Sequence, residues 1–111
     1  MENASRYKRL IDLFVSRSGS ITSRKIRNGD FSNEDRDIND FVKRLDKRER
    51  EILGNLLEEE RKDAFHDVLF ILVENKIGLH DSDGPIDYDY TQDYHGDYVH
   101  RLAGEPWYDE D

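Results

Sequence analysis

The sequence predicts a mainly α-helical protein, a three- or four-helix bundle with a small β-hairpin and an ordered C-terminal segment that is acidic and aromatic. Up to residue 76, apolar residues recur at the spacing of one helical face. Beyond it, ten carboxylates occur with five of the six tyrosines and Trp107, and disordered acidic tails are poor in aromatics. We therefore expect one domain over residues 1–111, with the helical bundle in 1–76 and the hairpin, short helix and tail in 77–111.

The N-terminal half contains two predicted helices. The first covers residues 5–16, with Ser5 as the expected N-cap, because the apolar positions repeat at i, i+3, i+4, i+7 and i+8: Tyr7, Leu10, Ile11, Phe14 and Val15. Residues 21–30 are basic and fit either a loop or one helical turn. Ser32 is the expected N-cap of the second helix, which carries Ile38, Phe41, Val42 and Leu45 on one face.

The next segment is the longest helical stretch, and Asp46 followed by Glu49 signals its start. Its apolar residues form two stripes: Ile52, Leu53, Leu56 and Leu57, then Ala64, Phe65, Val68, Leu69, Leu72 and Val73. One helix over residues 47–75 would be roughly 40 Å long at about 1.5 Å per residue. That length slightly favours the alternative, a break at residues 61–63 with Asp63 capping a second helix.

After residue 76 the pattern changes. Residues 77–80 and 85–88 flank the turn signal Asp-Ser-Asp-Gly at 81–84, which predicts a β-hairpin. Residues 95–103 predict a short helix that ends at Gly104 and Pro106. We expect Trp107 to fold back onto the helical bundle, because its large apolar ring favours burial.

The charge distribution is uneven. Residues 1–50 contain 13 Lys/Arg and 9 Asp/Glu, whereas residues 51–111 contain 4 and 17, for a net charge of −9. Either the two halves pack with complementary or solvated surfaces, or the acidic half is presented to a protein partner with a basic surface. The acidic surface argues against a duplex nucleic-acid binder. Self-association stays open.

Composition also limits the compartment and the chemistry. There is no cysteine, which excludes disulfides and fits the cytoplasm, and no apolar run is long enough for a membrane span or a signal peptide. No nucleophile elbow or phosphate-binding loop is present, so we expect no catalytic residues and no cofactor. His95 and His100 could meet a cation with Asp93 or Asp97, but their spacing puts them on different helix faces, and no metal site is predicted.

The favoured function is a non-enzymatic interaction domain that binds a basic protein, as immunity proteins and nucleic-acid mimics do. Aromatic anchors surrounded by charge suit that role, and the predicted interaction surface comprises Asp87, Tyr88, Asp89, Tyr90, Asp93, Tyr94 and Asp97. The alternative is a ligand- or metal-binding domain, or an enzyme of unknown reaction, that uses the C-terminal carboxylates and histidines.

The C-terminal part carries a family resemblance. The stretch His66-Asp67-Val68-Leu69, then Gly78-Leu79, and above all Asp97-Tyr98-Val99-x-Arg101-Leu102-x-Gly104-x-Pro106-Trp107 resemble the pattern of a family of small uncharacterised bacterial proteins. The Arg-x-x-Gly-x-Pro-Trp spacing is the most specific part. The resemblance implies a compact helical domain with an ordered tail, and it implies no activity.

Overall fold

A computed structural model describes residues 3–86 and 93–108. Over these residues the protein is mainly helical, with one two-stranded antiparallel hairpin, and the predicted fold class is confirmed. In chain order the elements are α1 (Asn3–Ser16), α2 (Ile21–Asn28), α3 (Arg36–Lys43), α4 (Lys47–Glu74), β1 (Leu79–Asp81), β2 (Gly84–Ile86) and α5 (Tyr94–Leu102).

The contacts within the chain define two compact units. Unit 1 comprises residues 1–17 and 63–111, and unit 2 comprises residues 18–62. Within unit 1, the hairpin and α5 pack with α1, and the predicted subdivision at residue 76 stays a prediction. Unit 1 holds six Lys/Arg and fifteen Asp/Glu, whereas unit 2 holds eleven of each, so unit 1 carries the entire net charge. The single domain over residues 1–111 stays a prediction.

Helix α1 begins earlier than the sequence predicts. It starts at Asn3, so Ser5 lies inside its first turn rather than at the N-cap. Its apolar face meets the core of unit 1, where Tyr7 and Ile11 are buried and Leu10, Phe14 and Val15 pack against them. The predicted periodicity is thus confirmed, although the cap is wrong.

The basic segment 21–30 forms a complete helix, α2. Its N-cap is Ser20, whose side chain accepts a hydrogen bond from the Ser23 backbone N–H at 3.0 Å. Its end is set by Gly29, whose φ of 77° is in the left-handed region that glycine adopts without strain. These two caps stabilise a helix in a segment for which the apolar pattern alone did not distinguish a loop from a helical turn.

Helix α3 is shorter than predicted because Asp35, not Ser32, is its N-cap. The Asp35 carboxylate accepts hydrogen bonds from the backbone N–H groups of Asp37 at 2.9 Å and Ile38 at 3.3 Å. Before the cap, Asn33 and Asn39 exchange two hydrogen bonds, which hold the preceding residues outside the helix.

Helix α4 is continuous, so the favoured break at residues 61–63 is wrong and the single helix is correct. Its start follows the prediction: the Asp46 side chain accepts from the Glu49 N–H at 2.8 Å, and the Glu49 side chain accepts from the Asp46 N–H at 2.9 Å. No proline occurs within the helix, and its one glycine, Gly54, accepts a 2.6 Å hydrogen bond from the Ser23 hydroxyl through its carbonyl.

The hairpin forms where the sequence predicts it, with β1 beginning at Leu79 rather than at residue 77 and β2 beginning at Gly84. Leu79 pairs with Ile86 and Asp81 with Gly84, and a two-residue turn joins them. Beyond the hairpin, α5 ends at Leu102, and Gly104, whose φ of 82° lies in the left-handed region, follows two residues later. Trp107 then packs into the core of unit 1, which confirms the expected return of the tail.

Candidate interaction surface

The core of unit 1 fixes the C-terminal segment. Tyr7 of α1 donates its hydroxyl to the Asp97 carboxylate of α5, and both side chains are buried. The Tyr7 ring also lies 6.0 Å from the rings of Tyr94 and Trp107, stacked on the first and edge-on to the second. These contacts join the first helix of the chain to its last helix and to the tail.

Two residues of the predicted interaction surface are therefore core residues. Tyr94 is 8% exposed and Asp97 is 2% exposed, so neither is available to a protein partner in this fold. The correction has a physical reason: the Asp97 carboxylate accepts a hydrogen bond from the Tyr7 hydroxyl, which offsets part of the cost of burying a polar group. Asp87, Tyr88, Asp89 and Tyr90 lie outside the described residues.

Asp93 is the described member of that surface that remains partly exposed, and it has a local role. It is the N-cap of α5 and accepts a hydrogen bond from the Gly96 N–H at 3.2 Å. Its carboxylate also lies 2.7 Å from Nδ1 of His95. The cap stabilises the first turn of α5.

Arg101 ties the end of α5 to two neighbours. Its Nε donates to Asp12 of α1 at 2.9 Å, and a second guanidinium nitrogen donates to the Glu105 carbonyl at 2.8 Å. The guanidinium carbon also lies 5.3 Å from the centre of the Trp107 ring, within the range of a cation–π contact. The Arg-x-x-Gly-x-Pro-Trp pattern thus has a structural role, because its arginine holds the C-terminal tail in place and links α5 to α1.

Arg6 holds the hairpin against α1. Its side chain is 6% exposed, forms a two-nitrogen pair with Asp81, and donates to the carbonyls of Gly84 at 2.7 Å and Pro85 at 3.3 Å. The hydrogen bonds from Arg6 hold the pKa of Asp81 below its usual value. Sequence patterns missed this residue, because an arginine on an amphipathic helix normally faces solvent.

A cavity of about 280 Å³ lies beside this pair. Its lining combines apolar and charged side chains: Arg6, Arg9, Leu10, Leu13, Asp81, Asp83 and Ile86. Ligand pockets usually hold about 300 to 1,000 Å³ and bury most of the ligand surface. Because the volume is below that range and Arg6 and Asp81 already bind each other, we assign no small-molecule site here.

The histidines also have structural neighbours. The His95 ring lies edge-on to those of His66 and Phe70, at 5.2 and 4.8 Å between ring centres. His100 lies 4.5 Å from the Tyr108 ring and 2.8 Å from the Pro106 carbonyl through Nε2. Across residues 3–86 and 93–108, no group of three or more His, Asp or Glu side chains is arranged to hold a metal ion.

An exposed apolar stripe runs along the part of α4 that belongs to unit 1. Ala64, Val68 and Ile71 are spaced i, i+4 and i+7, which puts them on one helix face. All three are exposed, Val68 by 51% and Ile71 by 53%. Apolar side chains exposed together in this way mark interaction sites more often than side chains exposed singly.

An acidic row lies next to this stripe. Asp63, Asp67 and Glu74 are exposed and share a helix face by their spacing. Asp63 and Asp67 each directly precede a member of the apolar stripe, and Glu74 follows Ile71 by three positions. We call these six residues together the acidic–apolar face of α4: Asp63, Ala64, Asp67, Val68, Ile71 and Glu74.

The sequence pattern puts part of this face in the same apolar stripe as a buried residue. Ala64 and Val68 were grouped with the buried Leu69 as one apolar stripe. The signal against that grouping is the width of the apolar surface, since apolar residues at 64, 65 and 68–73 cover more than the one side of a helix that packs against a single layer. The apolar residues outside that one side of the helix, at positions 64, 68, 70 and 71, are the ones that are exposed in the structure.

Comparison with known proteins gives a family and no activity. The model of a family described as a family of unknown function (DUF6547) matches residues 1–109. No curated protein and no solved structure matches the chain. Among the helices of the described residues, none combines the length and the apolar character needed to cross a membrane.

Proposed function

We propose that this protein, which belongs to the family of unknown function DUF6547, is a non-enzymatic interaction domain that binds a basic protein partner. Because the family indicates no activity, the proposal rests on the surfaces of the protein itself. The observation that carries the proposal is the acidic–apolar face of α4. It combines exposed aliphatic side chains with exposed carboxylates in a unit that has fifteen Asp/Glu and six Lys/Arg.

The two parts of the face have different physical roles in binding. Carboxylates at the rim of an interface raise the association rate of a basic partner and repel acidic ones. Buried apolar side chains at the centre contribute contact area and slow dissociation. A partner segment that carries both lysine or arginine and apolar residues on one side fits this surface, and an amphipathic basic helix is the simplest such segment.

This proposal covers a basic toxin as partner, as in an immunity-like role, and a nucleic-acid-binding protein, as in mimicry of nucleic acid. We also propose that the protein is bacterial and cytoplasmic. Duplex nucleic acid itself does not fit, because phosphates and the fifteen carboxylates of unit 1 repel each other.

Within residues 3–86 and 93–108, no observation favours the alternative of an enzyme or ligand-binding domain. Of the residues that this alternative would use, Asp97 is buried against Tyr7 and Asp93 caps α5. The His95 ring contacts the Phe70 ring, and Nε2 of His100 lies 2.8 Å from the Pro106 carbonyl. We therefore propose one function.

A synthetic amphipathic helix of leucine and lysine is the first probe for this function, and its leucine–glutamate counterpart is the control. We expect the full-length protein to bind the lysine peptide and not the glutamate peptide in a surface plasmon resonance experiment. Binding should weaken as salt rises, because the Debye length falls to about 3 Å at 1 M salt. Equal binding of both peptides would contradict the proposal.

Variants then assign the two roles. Exchanging Asp63, Asp67 and Glu74 for their amides should slow association of the lysine peptide by about tenfold at low salt, because exposed charge mainly steers encounter. Replacing Val68 and Ile71 with serine should instead speed dissociation.

The matched control neutralises three exposed carboxylates of unit 2, Asp30, Glu34 and Asp37, and leaves the acidic–apolar face intact. We expect its association rate to change far less. An equal slowing by both triple variants would show that net charge alone attracts the peptide, and the assignment to α4 would have to be dropped.

A further inference from the structure

Unit 2 exposes more large apolar side chains than it buries. Its buried apolar residues are Ile26 and Val42. Five others are exposed by 42% to 63%: Ile21, Ile38, Phe41, Ile52 and Leu56. A unit of this size buries a small core in any case, so leaving five of its large aliphatic and aromatic residues in water is costly. An exposed apolar surface of this kind is typical of a protein–protein interface.

The charged residues along α4 indicate which binding partner matches this surface. Arg48, Ile52, Leu56 and Glu59 are all exposed and lie at i, i+4, i+8 and i+11, which is one helix face. The apolar pair lies in the middle, a cation lies one turn before it, and a carboxylate lies about one turn after it. This face is therefore complementary to the same face of a second copy in the antiparallel orientation.

We infer that the Ile52–Leu56 stripe of α4 binds the same stripe of a second copy of this chain, in an antiparallel arrangement about a two-fold axis. In that arrangement Ile52 meets the partner helix near its Leu56, and each Arg48 approaches the other chain's Glu59. A parallel pairing would put like charges together and is disfavoured.

Net charge also favours a second copy over a partner of one sign. Unit 2 holds eleven Lys/Arg and eleven Asp/Glu, so two such units carry no net repulsion. A strongly basic or acidic protein would gain little attraction at this surface. The inference is independent of the function proposed for unit 1, because none of its four residues belongs to the acidic–apolar face.

Sedimentation of the full-length protein over a range of concentrations tests this inference. We expect a reversible monomer–dimer equilibrium with no larger species, because a two-fold interface closes on itself. Replacing Ile52 and Leu56 with serine should leave a monomer. The control exchanges Val68 and Ile71 for serine, which alters the face of unit 1, and it should dimerise as the unmodified protein does.

Charge reversal keeps the test valid even if the serine variant is poorly folded. Arg48→Glu and Glu59→Arg should each raise the dimer dissociation constant by about tenfold, because each reversal sets two like-charged pairs across the interface. The double reversal should restore the unmodified value within about threefold. A monomeric unmodified protein, or a double variant as weak as the single ones, would overturn the inference.

Discussion

Replacing Trp107 with alanine is expected to lower the free energy of unfolding by about 3 to 5 kcal/mol, the usual cost of truncating a buried large aromatic side chain. Trp107 is 3% exposed and contacts Tyr7 of α1 and Arg101 of α5. Its loss would leave a cavity between elements from opposite ends of the sequence. Urea unfolding followed by circular dichroism measures the change, which should appear as a lower midpoint.

The matched control is Tyr108→Ala, since Tyr108 is the next residue and is 64% exposed. We expect it to cost much less, because its ring is stacked on His100 at the surface. In the unmodified protein the single tryptophan should show the blue-shifted fluorescence of a buried indole. A water-exposed emission spectrum, or equal midpoints for both variants, would contradict the position of the tail.

Arg6→Met should produce the second large effect, a loss of about 2 to 3 kcal/mol, because hydrogen bonds to a charged group contribute more than neutral ones. The substitution removes the donor to the Asp81 carboxylate and to the Gly84 and Pro85 carbonyls while keeping an apolar stem. Arg6→Lys should rescue only partly, because an ammonium lacks the planar fork of donors. Arg9→Met, at an exposed position of the same helix, is the control.

The same pair predicts a pH dependence. The pKa of Asp81 is lowered from its ordinary value of 3.8, so the unfolded chain takes up the proton first as the solution is acidified. The stabilisation from Arg6 and Asp81 is therefore complete above pH 3.8 and is lost as the pH falls through the folded pKa. Asp81→Asn should be less stable at neutral pH and less sensitive to acid in this range, measured by acid unfolding. An unchanged acid profile would show that the pair contributes little.

The sequence predicted those parts of the fold that depend on local signals. The capping box of Asp46 and Glu49, the hairpin turn, and the stop at Gly104 each follow from interactions among residues a few positions apart. The caps at Ser5 and Ser32 were wrong because several serines, aspartates and asparagines compete as N-caps in these stretches. Asp35 makes the better bonds, and sequence spacing alone does not rank such candidates.

The surface was harder to predict than the fold. An acidic and aromatic stretch looked like an interaction surface, yet Tyr94 and Asp97 are buried because a partner 90 residues away, Tyr7, satisfies the carboxylate. No local pattern reveals such a distant pair. The exposed Val68 shares a predicted apolar stripe with the buried Leu69 for a related reason, since periodicity shows which residues share a helix face but not which face is covered.

Nuclear magnetic resonance mapping of the leucine–lysine peptide on the isotope-labelled full-length protein tests the central claim most directly. The proposed function predicts that the largest shifts of the backbone amides occur in the C-terminal part of α4, around Asp67 and Ile71, and that they diminish as salt is added. Shifts of similar size along unit 2, or none in α4 at a peptide concentration that saturates binding, would contradict it.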